Sequence, residues 1–369
     1  MSVRILVFLI CFILVNSFYS QDLEVKTITL LDHKVSESSG LIFLKGKLIT
    51  INDSGGKAEL YEIDTLSGEI SRTVTVKNAK NIDWEALTYD DKFIYIGDIG
   101  NNNGNRTDLR IYKIPIQTYL SQSTVSAEKI NFSYADQLIQ GKNHLQTEYD
   151  AEALMSVGDS LILFSKNWKK NLCHIYTVPK ESGDYTLSAI DSFATPGKIC
   201  DASFNFTNGD AYLVGYGVEP FYIRWRQFGS KASLSDISHE FLLISNSLQV
   251  EGVANDGERI FYTSETLKFG SLTYQGELGS IPNGKYLGDM SCSSRKIKVQ
   301  STHDRFIFEN NEDKMKSILI KNAKGNEVLH CRVKSKRFDL LRAELSTGRY
   351  KVEVLLSSGK SIEVFLVNE

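Results

Sequence analysis

The sequence predicts an all-β fold: a five-bladed β-propeller closed by the N-terminal strand, followed by a small β-sandwich domain. Three observations carry this reading. A unit of about 50 residues recurs five times, the mark of a repeat architecture. Each unit opens on two apolar strands joined by a tight turn, and most continue with two more. Past about residue 295 the period stops and short alternating strands replace it.

The N-terminus comes first in the chain. "MSVRILVFLICFILVNSFYSQ" has one Arg, an apolar stretch from Ile5 to Val15 and small residues from Ser17 to Ser20. That is the build of a signal peptide over residues 1–20, cleaved near Ser20 and Gln21. The alternative, a membrane anchor, needs a longer apolar stretch. Cys11 lies inside the apolar run and is not placed for lipid attachment. The mature protein is expected to be secreted or at the cell surface.

The propeller is expected over 21–290. Its five units open with "SSGLIFLKGKLITINDSG" from Ser38, "WEALTYDDKFIYIGDIG" from Trp84, "AEALMSVGDSLILFSKN" from Ala151, "ASFNFTNGDAYLVGYG" from Ala202 and "VEGVANDGERIFYTSE" from Val250. Their turns hold Lys45-Gly46, Asp90-Asp91, Val157-Gly158-Asp159, Asn208-Gly209-Asp210 and Asn255-Asp256-Gly257, residues that suit tight turns. Third and fourth strands read as "AELYEIDTLSG" and "EISRTVTVK", "LRIYKIP" and "KINFSYA", "CHIYTVPKESG" and "YTLSAIDSF", then "FYIRWRQFG" and "HEFLLIS". The fifth unit has "SLTYQGEL" as a third strand and no fourth. "EVKTITLLDH", residues 24 to 33, is expected to supply it and close the ring. A sixth blade between residues 112 and 148 is the alternative; that stretch already gives two strands to the second unit.

Composition fits this. The chain has 369 residues, 42% hydrophobic and 24% charged, enough for a large core. A net charge of −3 gives no field for a nucleic-acid polymer. The cysteines beyond the leader, Cys173, Cys200, Cys292 and Cys331, lack metal-type spacing. Export permits disulfides; buried free thiols are the expectation. There is no P-loop and no G-x-S-x-G.

In a propeller the innermost strands line the axis, so equivalent positions meet there. The residue before each innermost apolar run is Ser39, Glu85, Glu152, Ser203 and Glu251, at spacings of 46, 67, 51 and 48. Clustered carboxylates repel at low dielectric. Either some protonate, or they solvate a wet channel, or a cation sits among them. Carboxylate and hydroxyl oxygens suit Ca²⁺ better than zinc or copper. A second register, 13 or 14 residues further on, holds Asp53, Asp98, Lys166, Tyr216 and Glu265. With Asn52, Asn101, Asn102 and Arg106 beside it, this register is expected to form a polar bowl over the channel. Asp83 is expected either to support the ring or to cap the blade entry.

The ordered set of five repeats resembles the calcium-activated nucleotidase (apyrase) family of five-bladed propellers, over roughly residues 36 to 265. The resemblance implies that Ser39, Glu85, Glu152, Ser203 and Glu251 hold a central calcium, and that Asp53 and Lys166 lie near the substrate. The family's paired arginines after the third blade's second strand are absent; Lys166 is followed by Asn167. "DWEAL…YIGDIGNN" is more similar to a group of uncharacterised secreted bacterial propellers. The C-terminal segment, 295–369, resembles the sorting domain of type IX secretion cargo in Gly348, Tyr350 and the closing run "SIEVFLVNE", without that family's "PNP" opening or terminal lysines. It implies export through that machinery; an ordinary adhesive sandwich is the alternative.

Two functions follow. The first is a secreted, monomeric binding propeller, with calcium pinning the blades and a small molecule, glycan or peptide in the bowl, near Trp84, Trp168 and Tyr216. The second is a calcium-dependent phosphohydrolase, with Asp53 or Asp98 orienting water and Lys166 and Arg106 offsetting phosphate charge.

Overall fold

The computed structural model describes residues 21–369 apart from 138–140, 142–143, 218–219, 229–236, 244–248, 270–271, 282–297, 302–304, 311–312, 323–324, 347, 360 and 369. The expected signal peptide and Cys292 lie outside the described residues. Five antiparallel blades form a ring. Their innermost strands are Ser38–Leu44, Trp84–Tyr89, Ala151–Val157, Lys198–Phe204 and Val250–Asn255. Each lies beside the next, and the fifth lies beside the first.

These strands are apolar along nearly their whole length because both faces of every blade are covered. Five separate apolar cores result, one between each pair of neighbouring blades. The core between blades five and one joins Leu41, Leu48 and Ile63 to Ala254, Phe261 and Leu278, and Phe43 stacks on Phe261 at 5.9 Å. Trp84 fills the core between blades one and two, fully buried, 5.8 Å from the Tyr112 ring, with its indole N–H donating to the Lys80 carbonyl. It is therefore a packing residue and not part of a ligand rim. Losing such a side chain costs about 3–5 kcal/mol.

The N-terminal strand Lys26–Leu30 pairs antiparallel with Glu277–Ile281 and completes blade five, as the repeat count requires. A further device joins the blades. The segment just before an outer strand pairs in parallel with the outer strand of the preceding blade. Thr124–Val125 does so on Ile70–Val76, Gly183–Leu187 on Glu128–Tyr134, and Gln21–Glu24 on Ile237–Leu243. Parallel pairs of this kind cover edges that would otherwise stay open.

Two expectations need correction. "YTLSAIDSF" is not one strand: its first part pairs with blade two and Asp191–Ala194 alone completes blade three. In blade five the third strand is Glu277–Ile281, where Leu278 and Ile281 are buried; Leu267–Phe269 and Leu272–Tyr274 make a separate hairpin. The count of five blades holds: the described strands between residues 112 and 148 belong to the sheets of blades one and two, and not to the alternative sixth blade.

The C-terminal sandwich packs a three-stranded sheet on a four-stranded one. Phe306, Phe308 and Leu340 of the first meet Ile318, Ile320, Val352 and Val354 of the second. Tyr350 is buried, and its hydroxyl donates to the Ser346 carbonyl at 2.7 Å.

Candidate metal centre

The blades reach the axis with a common backbone register. Asp53, Ile99, Lys166 and Glu265 each donate a backbone N–H to the carbonyl of Glu37, Asp83, Asp150 and Gln249 respectively. Counting two residues on from each acceptor gives Ser39, Glu85, Glu152 and Glu251 in blades one, two, three and five. In blades two to five the strand pairing skips one residue, and that residue is Glu85, Glu152, Cys200 or Glu251. In blade one the skip falls at Gly40, next to Ser39. A bulge of this type re-aims the skipped side chain.

Blade four departs from the expectation. Its ring position is Cys200 and not Ser203, which pairs further along with Tyr212 and accepts a hydrogen bond from the Asn255 amide at 2.9 Å. The cause is the six-residue loop between Phe204 and Ala211, longer than the loop that joins the two innermost strands in any other blade. Counting back from its turn therefore stops at Ser203, short of the ring position.

The axis carries two groups of side chains able to hold a metal ion among the described residues. In the first, Asp53, Asp83 and Glu85 bring carboxylate oxygens within 4.8 Å of one another. Ser39 donates to the Glu85 carbonyl at 2.8 Å and reaches its carboxylate at 3.4 Å. Gly100 makes room: a Cβ there would lie 2.5 Å from both the Asp83 and the Glu85 carboxylates. Burial and the neighbouring acids push Asp53 up to about 6 and Asp83 up to about 7. Burial also raises Glu85 well above the usual carboxylate range, helped by Asp53 and Glu152. Three acids held this way favour either protons or a cation.

The second group is Glu152, Cys200 and Glu251, again within 4.8 Å. Here a cation is built in. The Lys166 ammonium donates to the Glu152 carboxylate and lies 4.9 Å from the Tyr216 ring and 5.1 Å from the Trp168 ring. Burial opposes charge on Lys166, but Cys200, Glu152, Tyr216 and Glu251 around it hold its proton well above the ordinary lysine range. Gln249 donates to Glu251 at 3.0 Å and to Glu265 at 3.2 Å.

The remaining bowl residues are held by their neighbours. Asp98, at 13 residues and not 14 from the ring, turns to the other side of its strand from the Ile99 register. It is fully buried and paired with Arg106 at 2.9 Å. Arg106 also donates to the Gly100 carbonyl at 2.7 Å and to Asp108 at 3.1 Å. Asn101 is buried, donating to Asp150 and to the Tyr149 carbonyl, and its side-chain oxygen accepts the Arg106 N–H. Asn52 donates to the Lys34 carbonyl at 2.6 Å. Trp168 is half-buried and donates its indole N–H to Asp150 at 2.6 Å.

Asp201 escaped the sequence reading. At the corresponding count the other blades carry Gly40, Ala86, Ala153 and Gly252. An acid among four small residues was the available signal. Asp201 is fully buried, and its Oδ2 accepts the backbone N–H groups of Leu41 and Val253.

No protein-family model and no curated protein matches the chain. Solved structures do. One is PorZ, described as an essential bacterial surface component of the type-IX secretion system of Porphyromonas gingivalis, at 11% identity over 89% of this chain and 44% of that one, with a TM-score of 0.33. Two others are described as extracellular domains from B. thetaiotaomicron. The one-component-system domain has 12% identity over 94% of this chain and 59% of its own, TM-score 0.31. The hybrid two-component-system domain has 13% identity over 91% and 44%, TM-score 0.30. The chain thus spans roughly half the length of these structures. Likeness at this level says nothing of the site, and the propeller assignment rests on the sheet topology above.

Proposed function

We propose that the protein is an exported propeller that binds calcium at its axis and uses the surrounding face to hold a ligand. The observation that carries this is the convergence of Asp53, Asp83 and Glu85. Three carboxylates form an all-oxygen donor set, which suits a hard cation such as Ca²⁺. Asn52, next to Asp53 in the chain, has its side-chain oxygen buried without a hydrogen-bond partner. A cation and its waters would supply what that oxygen needs. Ser39 would support the site through Glu85.

The reading favours binding over phosphate-ester hydrolysis. Both cations that a phosphohydrolase would direct at its substrate are already engaged, Lys166 with Glu152 and Arg106 with Asp98. Asp98 is also fully buried, poorly placed to orient a solvent water. The ligand class stays with polar small molecules, glycans or peptides. The C-terminal sandwich is proposed as the export module, with surface or secreted delivery as its consequence.

The test is a melting curve of the purified chain with calcium and after EDTA, for the native protein and Glu85→Gln. Calcium should raise the native midpoint and leave the variant unmoved. An EDTA-insensitive native protein sinks the calcium reading. Turnover of a nucleoside di- or triphosphate would instead restore the phosphohydrolase.

A further inference from the structure

The two halves of the axial ring are chemically unlike. One half offers three carboxylates. The other offers two carboxylates and a thiol, Glu152, Glu251 and Cys200. A donor set that includes sulfur suits borderline metals such as zinc, cobalt or cadmium more than calcium. The same half also contains a lysine whose place is fixed on several sides. The Lys166 side chain is 4% exposed, its ammonium is bonded to Glu152, and the Tyr216 and Trp168 rings face it at 4.9 and 5.1 Å. The indole is shared: Lys198 stands 5.6 Å from it and donates to the Asn167 carbonyl at 2.9 Å. Asp150 anchors the indole N–H. Lys166 therefore has little freedom to swing out, since the aromatic wall that holds it is itself tied down.

We propose that Lys166 is the resident cation of this half of the ring. Its ammonium excludes metal from Glu152–Cys200–Glu251 and confines any divalent ion to the Asp53–Asp83–Glu85 half. A divalent ion and an ammonium sharing one buried carboxylate would repel strongly, so the half can hold one or the other. Replacing the ammonium by an apolar chain of similar length opens a site with one sulfur and two carboxylate donors. Lys166 is thus a specificity-determining residue for the metal content of the axis. The inference does not depend on calcium binding in the first half: its readout is a bond to sulfur, which that half cannot supply.

The probe is Co²⁺, whose bond to a thiolate gives a charge-transfer absorption in the near ultraviolet. Full-length chain, stripped with EDTA, is titrated with Co²⁺. The native protein should show no such band. Lys166→Met should gain about one cobalt per chain together with the band, and Lys166→Met combined with Cys200→Ser should lose both. A band in the native protein that Cys200→Ser abolishes would overturn the proposal, as would a folded Lys166→Met chain without one. Should Lys166→Met fold only when zinc is added, the proposal is supported; a chain that zinc does not restore counts against it.

Discussion

Asp201 accepts the backbone N–H of Leu41 at 3.0 Å, across 160 residues of chain. The same oxygen takes the N–H of Val253 at 2.8 Å. One carboxylate of blade four thereby ties together the innermost strands of blades five and one, the last and the first in chain order. Removing it leaves two buried amide donors unpaired, each worth about 1–3 kcal/mol. Asp201→Ala should cost about 2–5 kcal/mol in urea unfolding. Burial holds this carboxyl well above its usual range, so Asp201→Asn, which keeps an acceptor, should cost much less at neutral pH. Equal losses for the two variants would contradict this role.

Gly40 lets the innermost strand of blade two pack against that of blade one. Its φ is +63°, and a Cβ would lie 2.6 Å from the Leu87 backbone nitrogen. Backbone cannot move aside as a side chain can. Gly40→Ala should destabilise the protein by about 2–4 kcal/mol, from left-handed strain plus the clash. A thermal midpoint within a degree of the native value would refute the packing argument.

Arg106 holds the loop that carries Gly100. It bonds Asp98, Asp108 and the Gly100 carbonyl. Arg106→Ala leaves the Asp98 carboxylate buried and unpaired, at a cost of about 3–5 kcal/mol. Arg106→Lys should recover only part of it, because an ammonium cannot reproduce the forked contacts. Full recovery with lysine, measured by denaturant unfolding, would show that charge alone matters.

The axis also sets a pH dependence. Asp53 and Asp83 are raised to about 6 and about 7, against about 3.9 for an unfolded aspartate. An acid with a raised folded value favours folding while protonated. Its contribution is full below about pH 4 and is lost as pH rises through about 6 to 7. Metal-stripped protein should therefore lose about 2–4 kcal/mol between pH 4.5 and 8, allowing for solvent near these half-buried groups. Calcium should flatten that slope. A stripped protein whose melting midpoint is flat or rising over this range would contradict the assignment.

Much of this was legible in the sequence, and the failures share a cause. Glu85, Glu152 and Glu251 could be placed because their hairpins are short and alike. Cys200 could not, because the loop after Phe204 is longer and shifts any count made from its turn. Asp98 and Asp53 looked equivalent at 13 and 14 residues, yet one residue in a strand reverses the face a side chain takes. Asp83 stood between two roles, ring support and blade-entry cap, because it precedes its strand; the structure groups its carboxylate with those of Asp53 and Glu85, beside Gly100. Lys166 read as a bowl residue, since nothing in linear order shows that Glu152 lies within reach of its ammonium. The parallel strand exchanges escaped for a related reason. Short segments such as Thr124–Val125 have no period of their own.

The central claim is a hard-cation site built from Asp53, Asp83 and Glu85. Calorimetric titration of EDTA-stripped protein with calcium tests it most directly, on the native chain and on Asp83→Asn. The native chain should bind one calcium, and the variant should bind it at least tenfold more weakly. No heat of binding in the native chain, or equal affinity in Asp83→Asn, would contradict it.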